Sequence, residues 1–130
     1  IMTPPETASP ENDGLLTASE IAQLSIDADI VVLSACNTGS ASGRRGAPGL
    51  SGLAGGFFRA GARSVVVSHW TILSVSSLVL MPNFLNSATG EDPLPPAEAM
   101  RRAMLEVAND QRMEAFANPA VWEPFAMVGS

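Results

Sequence analysis

Three short apolar runs stand out against surroundings rich in Gly, Pro, Ser and Asn. They are Ala28-Asp29-Ile30-Val31-Val32-Leu33-Ser34-Ala35, Arg63-Ser64-Val65-Val66-Val67-Ser68 and Phe125-Ala126-Met127-Val128-Gly129. Each is too short for a buried helix, and the first is apolar and β-branched on both faces, as a central parallel strand should be. The pattern predicts strands over 28–35, 63–68 and 125–129. Between them the period changes to that of helices. Thr17 reads as an N-cap with Glu20 completing a capping box, which predicts a helix over 17–24 that buries Ile21 and Leu24. A helix over 51–60 packs with Leu53, Phe57 and Phe58 and ends at Gly61, a natural C-cap. Its interior pair Gly55-Gly56 costs about 1 kcal/mol each in propensity, which points to close approach of another backbone. A helix over 74–85 carries Pro82, which predicts a kink. One over 97–107 sets Met100, Met104 and Val107 on one face. The order β-α-β-α-α-β predicts a right-handed α/β layer structure.

Composition narrows the function classes. The chain has 130 residues, 46% of them hydrophobic and 15% charged, enough for one domain or the larger part of one. Residues 1–14, rich in Pro, Glu, Ser and Asn, read as a flexible connecting segment, and 15–130 as the domain. The net charge is −6 and every basic residue is Arg. That argues against a nucleic-acid surface and removes any P-loop or Schiff-base lysine. One Cys and one His do not make a zinc site without several carboxylates, and no organic cofactor motif is visible. The apolar runs are too short to cross a bilayer, and no secretory leader is visible. A lone cysteine fits a reducing, cytoplasmic setting.

That cysteine, Cys36, follows the first strand and opens into Asn37-Thr38-Gly39. In open α/β sheets ligands gather in the crevice outside the carboxyl ends of the strands. A lone cysteine is most often a small buried hydrophobe. Its place past the strand end, among small polar residues, suits a nucleophile instead, and both readings stand on the residues alone. A nucleophile elbow of the glutamine amidotransferase kind fits poorly. That turn wants very small residues two positions either side of the nucleophile, and here they are Ser34 and the β-branched Thr38.

The segment Asp29-Ile30-Val31-Val32-Leu33-Ser34-Ala35-Cys36-Asn37-Thr38-Gly39 resembles the nucleophile segment of CHAT domains, caspase-like modules often found behind TPR helices. Three further blocks follow in that family's order. They are Gly49-Leu50-Ser51-Gly52-Leu53-Ala54 through Phe58, then Gly61-Ala62-Arg63-Ser64-Val65-Val66-Val67-Ser68-His69-Trp70, then Asn118-Pro119-Ala120-Val121-Trp122-Glu123-Pro124-Phe125. The resemblance runs from Leu15 onward. It implies a three-layer caspase-like α/β/α sandwich with a mostly parallel sheet, of which this chain supplies the C-terminal, nucleophile-bearing portion. It also implies a cysteine endopeptidase, related to caspases, separases and gingipains, that acts on a peptide or protein substrate and needs no cofactor. A TPR or other regulatory module in the same protein or complex would switch it.

The resemblance also implies a dyad of Cys36 with a His that follows the preceding strand. Caspase spacing puts that His roughly 50 residues upstream. Only 35 residues precede Cys36, and none is His. The base then lies on a companion chain, on a region outside this sequence, or is absent. Ser68, His69 and Trp70 correspond to the strand-end segment that lines the primary specificity pocket in such enzymes. His69 reads first as a supporting residue beside Trp70, and second as a substitute base. Ser74 stands near the place where the family usually has Asp. With the missing His, it keeps open an inactive interaction or scaffold domain. Arg44 and Arg45, in the Gly-rich loop after Cys36, read as solvated, and Trp122 as packing at the domain end.

Overall fold

A computed structural model of the chain describes residues 9, 14, 16–33, 52–69, 74–112 and 114–129. Four helices and three strands lie among them, in the order α1 (Ala18–Ile21), β1 (Ile30–Val32), α2 (Gly52–Arg59), β2 (Ser64–Ser68), α3 (Ser74–Thr89), α4 (Pro96–Ala108) and β3 (Phe125–Gly129). Two 3₁₀ turns, Glu114–Ala117 and Pro119–Val121, separate α4 from β3.

The three strands form one sheet in the order β1-β2-β3. β1 and β2 are parallel, with Ile30 opposite Ser64 and Val32 opposite Val66. β3 returns antiparallel to β2, with Phe125 opposite Ser68 and Gly129 opposite Ser64. The expected mostly parallel sheet therefore holds for β1 and β2, while β3 runs the other way. The β1–β2 pairing is longer than its three-residue ladder. Asp29 O and Ala28 O accept from Ser64 N and Arg63 N at 3.0 Å each, and Leu33 N donates to Val66 O at 2.8 Å.

β2 is the central strand, and every residue of it is buried. Its alternation serves two cores. Val66 faces Leu80, Met81 and Phe84 of α3, Ala99, Met100, Ala103 and Val107 of α4, and Phe116, Val121 and Phe125. Val65 and Val67 face Ala54 of α2 and Ala62, flanked by Phe57 and Phe58. Helices thus cover both faces, as the two-sided apolar strands predict. A buried Phe84 or Leu80 contributes roughly 1.5–3 kcal/mol.

β1 departs from the expectation of a central strand. Ile30, Val31 and Val32 are only half-buried because β1 lies at the sheet edge among the described residues. Bonds from Asp29 and Leu33 toward β2 leave the backbone groups of Ile30 and Val32 on the outer side, since alternate residues of a parallel strand serve opposite neighbours.

The capping box forms as the sequence predicts: Glu20 N donates to Thr17 Oγ1 at 3.3 Å and Thr17 N to Glu20 Oε2 at 2.7 Å. The helix stops at Ile21, however. Gln23 N and Leu24 N bond three residues back, to Glu20 O and Ile21 O, so the turn tightens and Leu24 swings to solvent. Gly56 explains its own cost. A Cβ there would sit 2.7 Å from the carbonyl oxygen of Ala18, so α1 and α2 meet through this glycine, while a Cβ on Gly55 would meet nothing within 4 Å. Gly61, at φ +106°, closes α2 in a Schellman motif: its N–H reaches Phe58 O at 3.1 Å and Ala62 N–H reaches Phe57 O at 3.0 Å.

α3 runs through Pro82 and on to Thr89. Pro82 and Leu78 are both exposed, Leu78 at 74%, so the carbonyl that Pro82 leaves without its usual donor lies on the watery side. α4 begins with Pro96 at its first position, and Asn109 Nδ2 caps it by donating to Leu105 O at 2.8 Å. Met100 and Val107 are buried as predicted; Met104 is half-buried beside them. On the outer face of α4, Arg101 bonded to Glu98 at 2.6 Å holds that carboxyl below its usual range. None of the described helices is long and apolar enough to cross a membrane.

Candidate functional site at the carboxyl ends of β1 and β2

Parallel strands present their carboxyl ends on one rim, and that rim is where open α/β sheets bind ligands. Here it is formed by Leu33 leaving β1, by Ser68 and His69 leaving β2, and by the turn that enters β3. Leu33 packs on the α2 side with Val31. Ser68 is fully buried, opposite the buried Phe125. His69 is exposed, and its backbone N–H donates to Pro124 O at 2.9 Å, which carries the β2–β3 ladder one step further. Pro124 has no N–H to return that bond, so the ladder ends there and β2 is released at His69.

The segment leading into β3 is tied down from below. Asn118 caps the second 3₁₀ turn, its Oδ1 accepting from Ala120 N at 3.0 Å with Pro119 in the first turn position. Trp122 Nε1 donates to Phe116 O at 3.2 Å, and Phe116 is itself buried against the α3–α4 core. Trp122 packs the domain end, as predicted. The roles of Phe116 and of Asn118 were not anticipated. Asn followed by Pro at the first position of a turn is the signal that identifies the cap.

Of the predicted site residues, Ser68 and His69 come together at this rim, next to the end of β1. They differ in access: the Ser68 side chain is sealed and that of His69 reaches solvent. Cys36 and Trp70 lie outside the described residues, as do Arg44 and Arg45 of the loop after the cysteine. Glu123, just before Pro124, is the exposed acid of the β3 turn. Among the described residues no group of three or more His, Cys, Asp or Glu is placed to hold a metal ion.

Comparison with known proteins adds to this geometry. A family model described as "CHAT domain" matches residues 2–130. Tetratricopeptide repeat protein 28 of Mus musculus is 32% identical over 121 residues, covering 93% of this chain and 5% of that protein. Tetratricopeptide repeat protein 28 of Homo sapiens is 30% identical over 121 residues, with the same coverage. The chain thus spans about one-twentieth of the length of these relatives, at 5%. No solved structure gives a significant match.

Proposed function

The chain belongs to the CHAT domain family, and on that premise we propose that it is the nucleophile-bearing portion of a caspase-like cysteine endopeptidase. Cys36 is the nucleophile. Its thiolate attacks a peptide carbonyl, the tetrahedral oxyanion is held in part by the Cys36 backbone N–H, and collapse expels the amine and leaves a thioester that water hydrolyses. A His outside this sequence takes the thiol proton and passes it to the leaving amine. Of the strand-end segment, His69 and Trp70 line the substrate pocket, and Ser68, sealed in this structure, supports them from within.

One observation carries this reading: the parallel β1–β2 pair, whose two chains leave the sheet on the same rim. Cys36 is three residues past Leu33, and three residues span at most about 11 Å, which supports a nucleophile near that rim. The half-buried outer edge of β1 supports the second half of the reading. Its Ile30 and Val32 backbone groups suit pairing with one more strand, from which a His would reach the same rim. The names of the relatives support a tetratricopeptide repeat module in the same protein. A reducing, cytoplasmic location keeps the thiol available.

The test is covalent labelling by an electrophilic peptide in the longer protein that contains this chain. Modification at Cys36, abolished in Cys36→Ala, is the expected result, with no turnover by residues 1–130 alone. Robust Cys36-dependent cleavage by the isolated chain would refute the external base and point to His69. An unreactive Cys36 in the complete protein would instead favour the non-catalytic scaffold, a reading that rests on Ser74 and on His69 as the lone His of the chain.

A further inference from the structure

The two helices that cover the Val66 side of the sheet differ in the faces they turn away from it. α4 carries Glu98, Arg101, Arg102 and Glu106, and the pairs Arg101–Glu98 and Arg102–Glu106 suit its outer face to water. α3 has no Asp, Glu, Lys or Arg in its 16 residues, in a chain that is 15% charged. Its inner face is spent on Leu80, Met81 and Phe84. Its outer face shows Leu78, Pro82 and Leu85, all exposed, at the i, i+4 and i+7 spacing that makes one stripe. Leu78, at 74%, is the most exposed large apolar side chain among the described residues. The same stripe holds the Leu78 carbonyl that Pro82 leaves without its usual donor.

α3 and α4 also make a helix hairpin, with only residues 90–95 between them and a shared core. Together they run from Ser74 to Ala108, close to the roughly 34 residues of one tetratricopeptide repeat. Stacked repeats bury their faces on one another, so the last unit of an array needs a cap that is apolar toward the array and polar toward water. The hairpin has that make-up, α3 uncharged and α4 ion-paired. This chain covers 5% of the matched tetratricopeptide repeat proteins, which leaves ample length outside it for an array. We infer that the outer stripe of α3 is the docking face for the terminal helix pair of a tetratricopeptide repeat array in the same protein, which stacks on α3 as on a further repeat. The arriving face is aliphatic or aromatic and brings one side-chain donor for Leu78 O, since a wholly apolar partner would strip that carbonyl of water without replacement. This docking rests on the repeat module of the proposed function and not on the chemistry of Cys36.

The test places Leu78→Cys or Leu85→Cys in the complete protein, with Arg102→Cys on the outer face of α4 as the exposed reference. Maleimide labelling is followed peptide by peptide by mass spectrometry. Labelling about tenfold slower at both α3 positions than at Arg102→Cys is expected. Adding Leu78→Glu brings Leu85→Cys up to the reference rate, because an unpaired carboxylate is excluded from an apolar contact. A benzophenone photocrosslinker at Asn86, exposed beside the stripe, joins α3 to a repeat helix of the same molecule. Equal labelling at all three positions, or an adduct to a second copy or to a segment outside the repeats, would overturn the inference. Cys36 labelling is scored separately on the same protein. Protection of α3 with an inert Cys36 keeps the docking face and removes the peptidase; a reactive Cys36 with an open α3 does the reverse.

Discussion

The two ends of the β1–β2 pair differ in what they present. At the amino end the backbone is laced together. Ile26 N reaches Ala60 O at 2.7 Å, Arg63 N and Ser64 N bond Ala28 O and Asp29 O, and the Arg63 guanidinium holds Asp29 at 2.7 Å and Asp27 at 3.0 Å. Two glycines with positive φ allow this closeness: Gly61 lies under Ile26 O, and a Cβ on Gly129 would collide with Arg63 O. At the carboxyl end, Leu33 N reaches Val66 O and His69 N reaches Pro124 O. The contrast separates labour along the strands. One end fixes register, and the other seals Ser68 and turns His69 to solvent.

That division yields predictions of decreasing size. Cys36→Ala, past the carboxyl end, should lower peptide cleavage by the complete protein on the order of a thousandfold or more while leaving its Tm unchanged. Fluorogenic assay and calorimetry on the same sample check both halves, and a collapse in Tm would break the contrast. Gly129→Ala, at the amino end, should do the opposite. It forces a side chain into a positive-φ position against the Arg63 carbonyl, for a cost of about 2–3 kcal/mol and a Tm lower by roughly 5–10 °C. Arg63→Ala should be milder. Its two ion pairs are exposed, so urea unfolding should shift by less than about 1 kcal/mol, and by less still in high salt. His69→Leu should change stability by no more than about 0.5 kcal/mol, since its ring is exposed and its backbone bond survives.

The amino end was the more legible in the sequence. Gly61 announced the end of α2, Thr17 and Glu20 announced the start of α1, and the Gly55-Gly56 pair announced a backbone contact that Gly56 alone makes. These are local signals, set by φ and by hydrogen bonds a few residues apart. What depends on distant partners was harder to read. The pattern of β1 suits burial on both faces and says nothing about where a neighbouring strand is missing, so an edge strand read as a central one. The direction of β3 is likewise settled by the short turns after α4, and its five residues carry no mark of orientation. Pro82 suggested a kink in a helix over 74–85. The helix runs through it to Thr89, with the proline ring facing solvent, where water replaces the lost donor.

At the candidate site, the residues Ser68 and His69 were legible as a pair, but their unlike access was not. Alternation along a strand predicts which face a side chain takes. Whether the last residue is covered depends on the turn arriving from β3, and here that turn covers Ser68 with Phe125 and stops at Pro124.

The alternation of Val65, Val66 and Val67 has a consequence for how this chain tolerates change. β2 acts as a party wall: among the described residues no side chain belongs to both of the oily compartments it divides. Substitutions that remodel the small-residue compartment under α2 should therefore combine additively with those in the larger one under α3 and α4. Deleting a single residue from the wall would exchange the occupants of the two rooms at once, setting large and small volumes in each other's places.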